Sequence, residues 1–276
     1  MNAYTNHLEQ RAAYPTYRQS WWVIGWFILA SLVAGLPIYA VNLLLGISEA
    51  ITLTMAALTG NLLLAVVLLY WKRKAEPAFR LSLHPGRPQL YLWLLPLTLA
   101  LAILAEPLTR LLPVPDFLKD TLDKVLPYPF LSFLLLAVQA PVFEEIVFRG
   151  IVLDGLLKNI PVRKAVIQSA VLFALVHFNP AQFIITFSMG LLLGWVYYRT
   201  RSLYACIFIH FVNNFTAWLL YQLPATRSAD TLADLFPSPW AYAGFLLGVA
   251  VVALLCIKAL MAHFKQHSPV MMAEHL

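Results

Sequence analysis

Eight stretches of this chain are apolar over about the length that crosses a lipid bilayer. They run at about 21–45, 51–71, 90–107, 129–150, 164–179, 181–198, 203–222 and 239–262. About 18 apolar residues or more read as a span, because the hydrocarbon core is roughly 30 Å thick. The fifth and sixth stretches are the shortest. Only 12% of the residues are charged and 61% are hydrophobic, where a soluble chain carries about 25% charge. The solvent implied is lipid. The expectation is an all-α, polytopic helix bundle of about eight transmembrane helices forming one domain over residues 21–265. A cytoplasmic lead (1–20) precedes it and a C-terminal tail (266–276) follows. The first apolar run is too long for the h-region of a signal peptide and lacks a clear cleavage site.

Positive charge sets the expected orientation. With the N-terminus in the cytoplasm and eight spans, 15 Lys and Arg fall inside and 4 outside, which accounts for all 19. Both termini are then cytoplasmic and the protein is a multi-pass protein of the inner membrane. The net charge of +6 reads as contact with an anionic leaflet. No nucleic-acid motif is present, so membrane lipid is the expected partner. Cys206 and Cys256 show no C-x-x-C spacing and read as packing residues. Between the third and fourth spans, Phe117, Leu118, Thr121, Leu122 and Val125 form one helical stripe, which reads as an amphipathic surface helix on the outer side. The glycines of "GLLLG" (190–194) suit close helix packing in lipid.

Ionisable residues inside a membrane are candidates for function. Here they are Glu144, Glu145, His177 and His210, with Asn213 and Asn214 beside them and Arg149 and Asp154 toward the cytoplasmic end. Glu145 and Arg149 stand four residues apart with the acid first, the favoured order for a helical ion pair. Glu144 points about 100° away around the helix. One carboxylate is thus neutralised, and the other is left as a usable base. The blander alternative is that both acids simply satisfy Arg149.

Residues 144 and 177 are nearly symmetric about the turn at Pro161. Each lies about 24 Å along its helix from that turn, so the two meet at one depth if the fourth helix continues through Asp154. His210 comes to the same level from the "RTRS" turn (199–202). Phe173 and His177 share a face, as do His210 and Asn214. Two chemistries suit this set. In one, Glu144 takes a proton from water with the help of His177, and His210 and Asn214 donate to an oxyanion. In the other, Glu144, His177 and His210 ligate zinc. No H-E-x-x-H is present, and no Ser or Cys triad is supported.

The motifs E-E-x-x-x-R (Glu144, Glu145, Arg149), F-x-x-x-H (Phe173, His177) and H-x-x-x-N (His210, Asn214) resemble those of the CPBP family of CAAX proteases and bacteriocin-processing enzymes, also called Abi. The match lies within residues 128–222. The resemblance implies an eight-helix intramembrane endopeptidase with its active site facing the cytoplasm. It implies catalytic roles for Glu144, His177, His210 and Asn214, with Glu145, Arg149 and Phe173 supporting them. The implied partner is a membrane-anchored or lipidated protein or peptide. The label of metalloprotease and a metal-free glutamate mechanism both attach to that family, so the two chemistries stay open. Non-enzymatic alternatives are a membrane scaffold or bacteriocin-immunity protein. A proton-coupled transporter is a further one, opposed by the lack of paired, interrupted spans.

Overall fold

A computed structural model describes residues 13–109, 115–223 and 231–267. Every regular element among them is helical. The helices are α1 (Tyr17–Ser20), α2 (Trp22–Leu45), α3 (Glu49–Ala75), α4 (Pro88–Thr109) and α5 (Lys119–Val125). A continuous α6 (Pro129–Asn159) follows. Then come α7 (Val162–Leu175), α8 (Pro180–Thr200), α9 (Leu203–Gln222) and α10 (Pro239–His267). Local chemistry sets the ends. Gly46 closes α2 at φ 63°, and the Ser48 and Ser202 side chains accept from backbone N–H groups in the first turns of α3 and α9. Pro129 and Pro180 open α6 and α8, where a missing N–H costs nothing.

Seven helices among the described residues are long and apolar enough to cross a membrane. The expected span at 164–179 is the exception. It forms only the 14-residue α7, about 21 Å at 1.5 Å per residue and short of the roughly 30 Å core. Pro180 pushes Asn179 into an extended conformation, and Phe178 turns the chain at φ 47°. His177 therefore sits in a turn past the end of its helix, although the hydropathy continues through it. The fourth helix, by contrast, does continue through Asp154, to Asn159.

Helix α6 lies at the heart of the bundle, with Phe148, Ile151, Leu153 and Leu156 at most 1% exposed. Two stretches of it, Phe133–Gln139 and Ile146–Leu153, are π-helical and flank the short α-helical piece Ala140–Glu145 that carries both glutamates. Wide turns of this kind gather at functional sites. Helix α8 packs on α7 through the two glycines of "GLLLG". A Cβ on Gly190 would lie 2.9 Å from Ala170 Cα, and one on Gly194 3.0 Å from Val166 Cγ1.

At the end of the bundle where α3 and α6 stop, basic and acidic side chains form an ion-pair network. Lys72 is fully buried. Its Nζ lies 2.7 Å from Glu76 Oε1 and 2.9 Å from Asp154 Oδ2, and donates to the Tyr14 carbonyl at 2.6 Å. Lys158 bonds the other Glu76 oxygen and Asp154, both at 2.7 Å. The described part of the N-terminal lead is packed onto this network. The Tyr14 N–H donates to Glu76 Oε1 at 3.0 Å, and Asn159 Nδ2 donates to the Ala13 carbonyl at 2.6 Å. Only glycine fits at position 155, because any Cβ there would strike the Tyr14 carbonyl and Pro15. Residues 1–12 and 268–276, together with Arg110 and Arg227, lie outside the described residues.

Burial pushes the Glu76 carboxyl up, but hydrogen bonds and charge from Lys158 and Lys72 outweigh it and hold the group below its ordinary 4.5. A depressed carboxyl adds stability above its ordinary value, and that contribution is lost as pH falls through the folded one. The melting temperature is therefore expected to fall as pH drops below about 4.5. Glu76→Gln should flatten that acid limb, as read by thermal unfolding in detergent across pH.

Candidate active site

Glu145 is fully buried, and two side chains converge on it. Its Oε1 is 2.9 Å from Arg149 Nη1, with both side chains at 0% exposure. The same oxygen lies 2.8 Å from His210 Nδ1. Arg149 Nη2 also donates to the Gly190 carbonyl at 3.3 Å, and the guanidinium lies 4.4 Å over the Phe173 ring. That ring is edge-on to both His177 and His210. Phe173 is thus a shared wall for the cation and both imidazoles. The expected Glu145–Arg149 pair is present, but it is one edge of a triad that extends to α9.

Glu144, the neighbour on the same short α-helical piece, has a different environment. Its Oε2 is buried and has no hydrogen-bond partner. His177 Nε2 is 4.0 Å from it and His210 Nε2 is 3.9 Å away. The other nitrogens fix the tautomers. His177 Nδ1 lies 2.7 Å from the Phe173 carbonyl and His210 Nδ1 lies against a carboxylate. Both acceptors lack protons, so each Nδ1 must carry one. In the neutral rings each Nε2 then presents a lone pair toward Glu144.

Asn214 lies one helical turn beyond His210. Its Nδ2 donates to the Leu136 carbonyl at 2.9 Å and its Oδ1 accepts from Asn213 at 3.0 Å. One of its two N–H bonds is therefore committed to α6. Asn214, Glu144, His177 and His210 all line a cavity of about 460 Å³ with mostly apolar walls, including Leu122, Leu136 and Trp218. A second cavity, of about 330 Å³, lies on the other side of Glu144 and His177 toward Phe27 and Asn61. Leu118 borders both. Volumes of 300 Å³ and more suit small ligands or short peptide segments.

Comparison with known proteins points to the same part of the chain. Residues 126–216 match the family model described as "Type II CAAX prenyl endopeptidase Rce1-like". All three motifs fall inside the match. A curated relative, "Putative membrane peptidase YdiL" of Bacillus subtilis (strain 168), is 29% identical over 98 residues, covering 36% of this chain and 40% of that protein. "UPF0177 protein in abiGi 5'region" of Lactococcus lactis subsp. cremoris is 36% identical over 88 residues, 32% of this chain and 37% of that one. The chain thus spans about two fifths of the length of the curated relatives it matches. No solved structure matches.

The donor chemistry around Glu144 resembles that of a metal site, since ligating histidines usually donate their second N–H to a carboxylate or carbonyl. The spacing does not fit. Ligands about 2.1 Å from a tetrahedral zinc stand about 3.4 Å apart, whereas these pairs stand at 3.9 and 4.0 Å. Among the described residues no group of three His, Cys, Asp or Glu side chains is placed to hold a metal ion. To hold zinc, Glu144, His177 and His210 would have to draw together by about half an ångström.

Several buried polar groups carry no motif. Gln139 is 5% exposed and neither of its amide atoms has a hydrogen-bond partner. It lies at the end of the first π-helical stretch, five residues before Glu144. Its only signal in the sequence is a glutamine in an otherwise apolar run. The expected surface helix is also placed differently. Helix α5 turns Leu118 and Leu122 into the larger cavity and buries Val125, while Phe117 is left 63% exposed.

Removing one member of a buried ion pair leaves an uncompensated charge. Arg149→Met is expected to destabilise the folded protein by about 3–5 kcal/mol. The double change Arg149→Met, Glu145→Gln should recover part of that loss, because no unpaired charge remains. Thermal or chemical unfolding of both proteins in detergent checks the prediction.

Proposed function

We propose that this protein is an integral-membrane endopeptidase that hydrolyses a peptide bond with water activated by Glu144. One observation carries the reading: a buried, unpartnered Glu144 Oε2 stands 3.9–4.0 Å from two imidazole nitrogens at the wall of an apolar cavity. At that separation the groups do not bond one another, but one small molecule between them reaches all three.

A water oxygen there donates one proton to Glu144 and the other to the His177 Nε2 lone pair. Its own lone pair then attacks the peptide carbonyl, and the proton moves to Glu144. The carbonyl oxygen takes up negative charge and is met by Asn214 N–H. His210, held at Nδ1 by the Glu145 carboxylate, also donates to it from Nε2 when its ring is doubly protonated. Collapse breaks the C–N bond. The proton on Glu144 passes to the departing amine, leaving an amine and a carboxylic acid, which gives up its remaining proton to solvent. Glu145 and Arg149 hold His210 in place and take no part in bond changes.

The substrate class is an extension from the matched family description. We assign a membrane-anchored peptide of the C-a-a-X type, carrying a lipid that occupies the apolar part of the cavity, cleaved at the cytoplasmic face of the inner membrane. The test is purified protein in liposomes with an internally quenched, prenylated C-a-a-X peptide, analysed by mass spectrometry. Cleavage is expected, and it should survive exhaustive chelation. His210→Ala should lower kcat about 10²–10³-fold through loss of oxyanion stabilisation. Cleavage that disappears on chelation and returns with zinc would overturn the water-and-glutamate mechanism. Absence of any cleavage would favour the scaffold or immunity alternative.

A further inference from the structure

The turn that carries His177 is tied to a second segment by two side chains that belong to none of the motifs. Asn179 is 3% exposed. Its Nδ2 donates to Asp116 Oδ1 at 2.8 Å, and its Oδ1 accepts from the Phe117 N–H at 3.2 Å. Asp116 Oδ1 also accepts from the Leu118 N–H at 3.0 Å. Two hydrogen bonds thus tie the segment at 116–118 to the residue two places after His177, and the third shapes that segment itself. Between His177 and Asn179 is Phe178, at φ 47°, a conformation that a bulky side chain keeps only when its surroundings hold it. The next residue of the tied segment is Leu118, which borders both cavities together with Glu144 and His177. Beyond it, α5 is anchored by Lys124 to Glu49 at 2.8 Å and by Gln222 Nε2 to the Leu126 carbonyl at 3.2 Å.

We infer that Asp116 and Asn179 form a clasp that positions His177 against Glu144 and holds Leu118 as the partition between the two cavities. Both are positioning residues, since neither borders the cavities around the reacting groups. The proposal rests on the assignment of Glu144 and His177 as the catalytic pair. With the clasp open, the turn relaxes away from the left-handed conformation of Phe178, His177 Nε2 leaves the level of Glu144, and Leu118 withdraws.

The pair can be inverted at the cost of one local hydrogen bond. Asn179→Asp alone sets two carboxylates against each other. Adding Asp116→Asn removes the repulsion: the new amide donates to the new carboxylate and the Phe117 N–H keeps its acceptor, while the Leu118 N–H gives up the oxygen it shared with Asn179. Two measurements follow on full-length protein in liposomes. One is the labelling rate of Leu118→Cys by a charged maleimide, which is specific because Cys206 and Cys256 are buried. The other is kcat on the quenched prenylated peptide. Asn179→Asp is expected to raise labelling several-fold and to lower kcat by about 10²-fold, the scale of a 1 Å misplacement of a catalytic group. The inverted pair should return both most of the way to the parent. Labelling and kcat unchanged in Asn179→Asp would overturn the clasp, and so would an inverted pair that recovers neither, folded or not. Labelling does not depend on cleavage. If Glu144 proves dispensable, the catalytic assignment fails while the labelling result still decides the clasp.

Discussion

Charge is the scarce resource in this fold, and the neutralisation of Glu145 is the interaction on which the site depends. A carboxylate with no exposed surface, inside a helix of spanning length, persists only if paired and hydrogen-bonded. Arg149 supplies the charge four residues along the same helix, and His210 supplies a second bond from α9. The Gly190 carbonyl and the Phe173 ring also contact the guanidinium, whose Nε has no hydrogen-bond partner. One carboxylate thereby draws α6, α7, α8 and α9 to a single point. The glycine spacing of α8 gains a second role, because the close approach to α7 brings the Gly190 carbonyl within reach of Arg149.

The same neutralisation gives adjacent glutamates opposite characters. Glu145 has its charge consumed by fixed partners. Each acid keeps one buried oxygen without a hydrogen-bond partner, and that of Glu144, one residue earlier, faces two imidazole nitrogens whose protons are held on the far side of each ring. The groups that hold the imidazoles are buried and bonded to one another, and the apolar walls and Leu118 border the space beside them.

Much of this was legible in the sequence, and the reasons are physical. Lipid as solvent makes hydropathy a direct readout of helices, so the extents of α2, α3, α8 and α9 agree with the expected spans to within a few residues. The Glu145–Arg149 pair follows from helical spacing alone. The symmetry of Glu144 and His177 about Pro161 anticipated their approach, even though His177 lies in a turn. The end of α7 was hidden because Val176 and Phe178 keep the pattern apolar across it, although Asn179–Pro180 marks the turn. Contacts made across the bundle left no local trace. Nothing near Lys72 in the sequence distinguishes it from the basic residues that follow it, and its burial depends on Asp154, 82 residues away. The bond from His210 to Glu145 is of the same kind.

The division of labour between the two glutamates is tested most directly by placing Glu144→Gln and Glu145→Gln side by side, with thermal stability and peptide cleavage measured on each. The structure predicts a split. Glu144→Gln should keep the melting temperature and lose cleavage, whereas Glu145→Gln should lose stability as its buried partners are left uncompensated. Equal destabilisation by both changes, or cleavage that persists in Glu144→Gln, would contradict it.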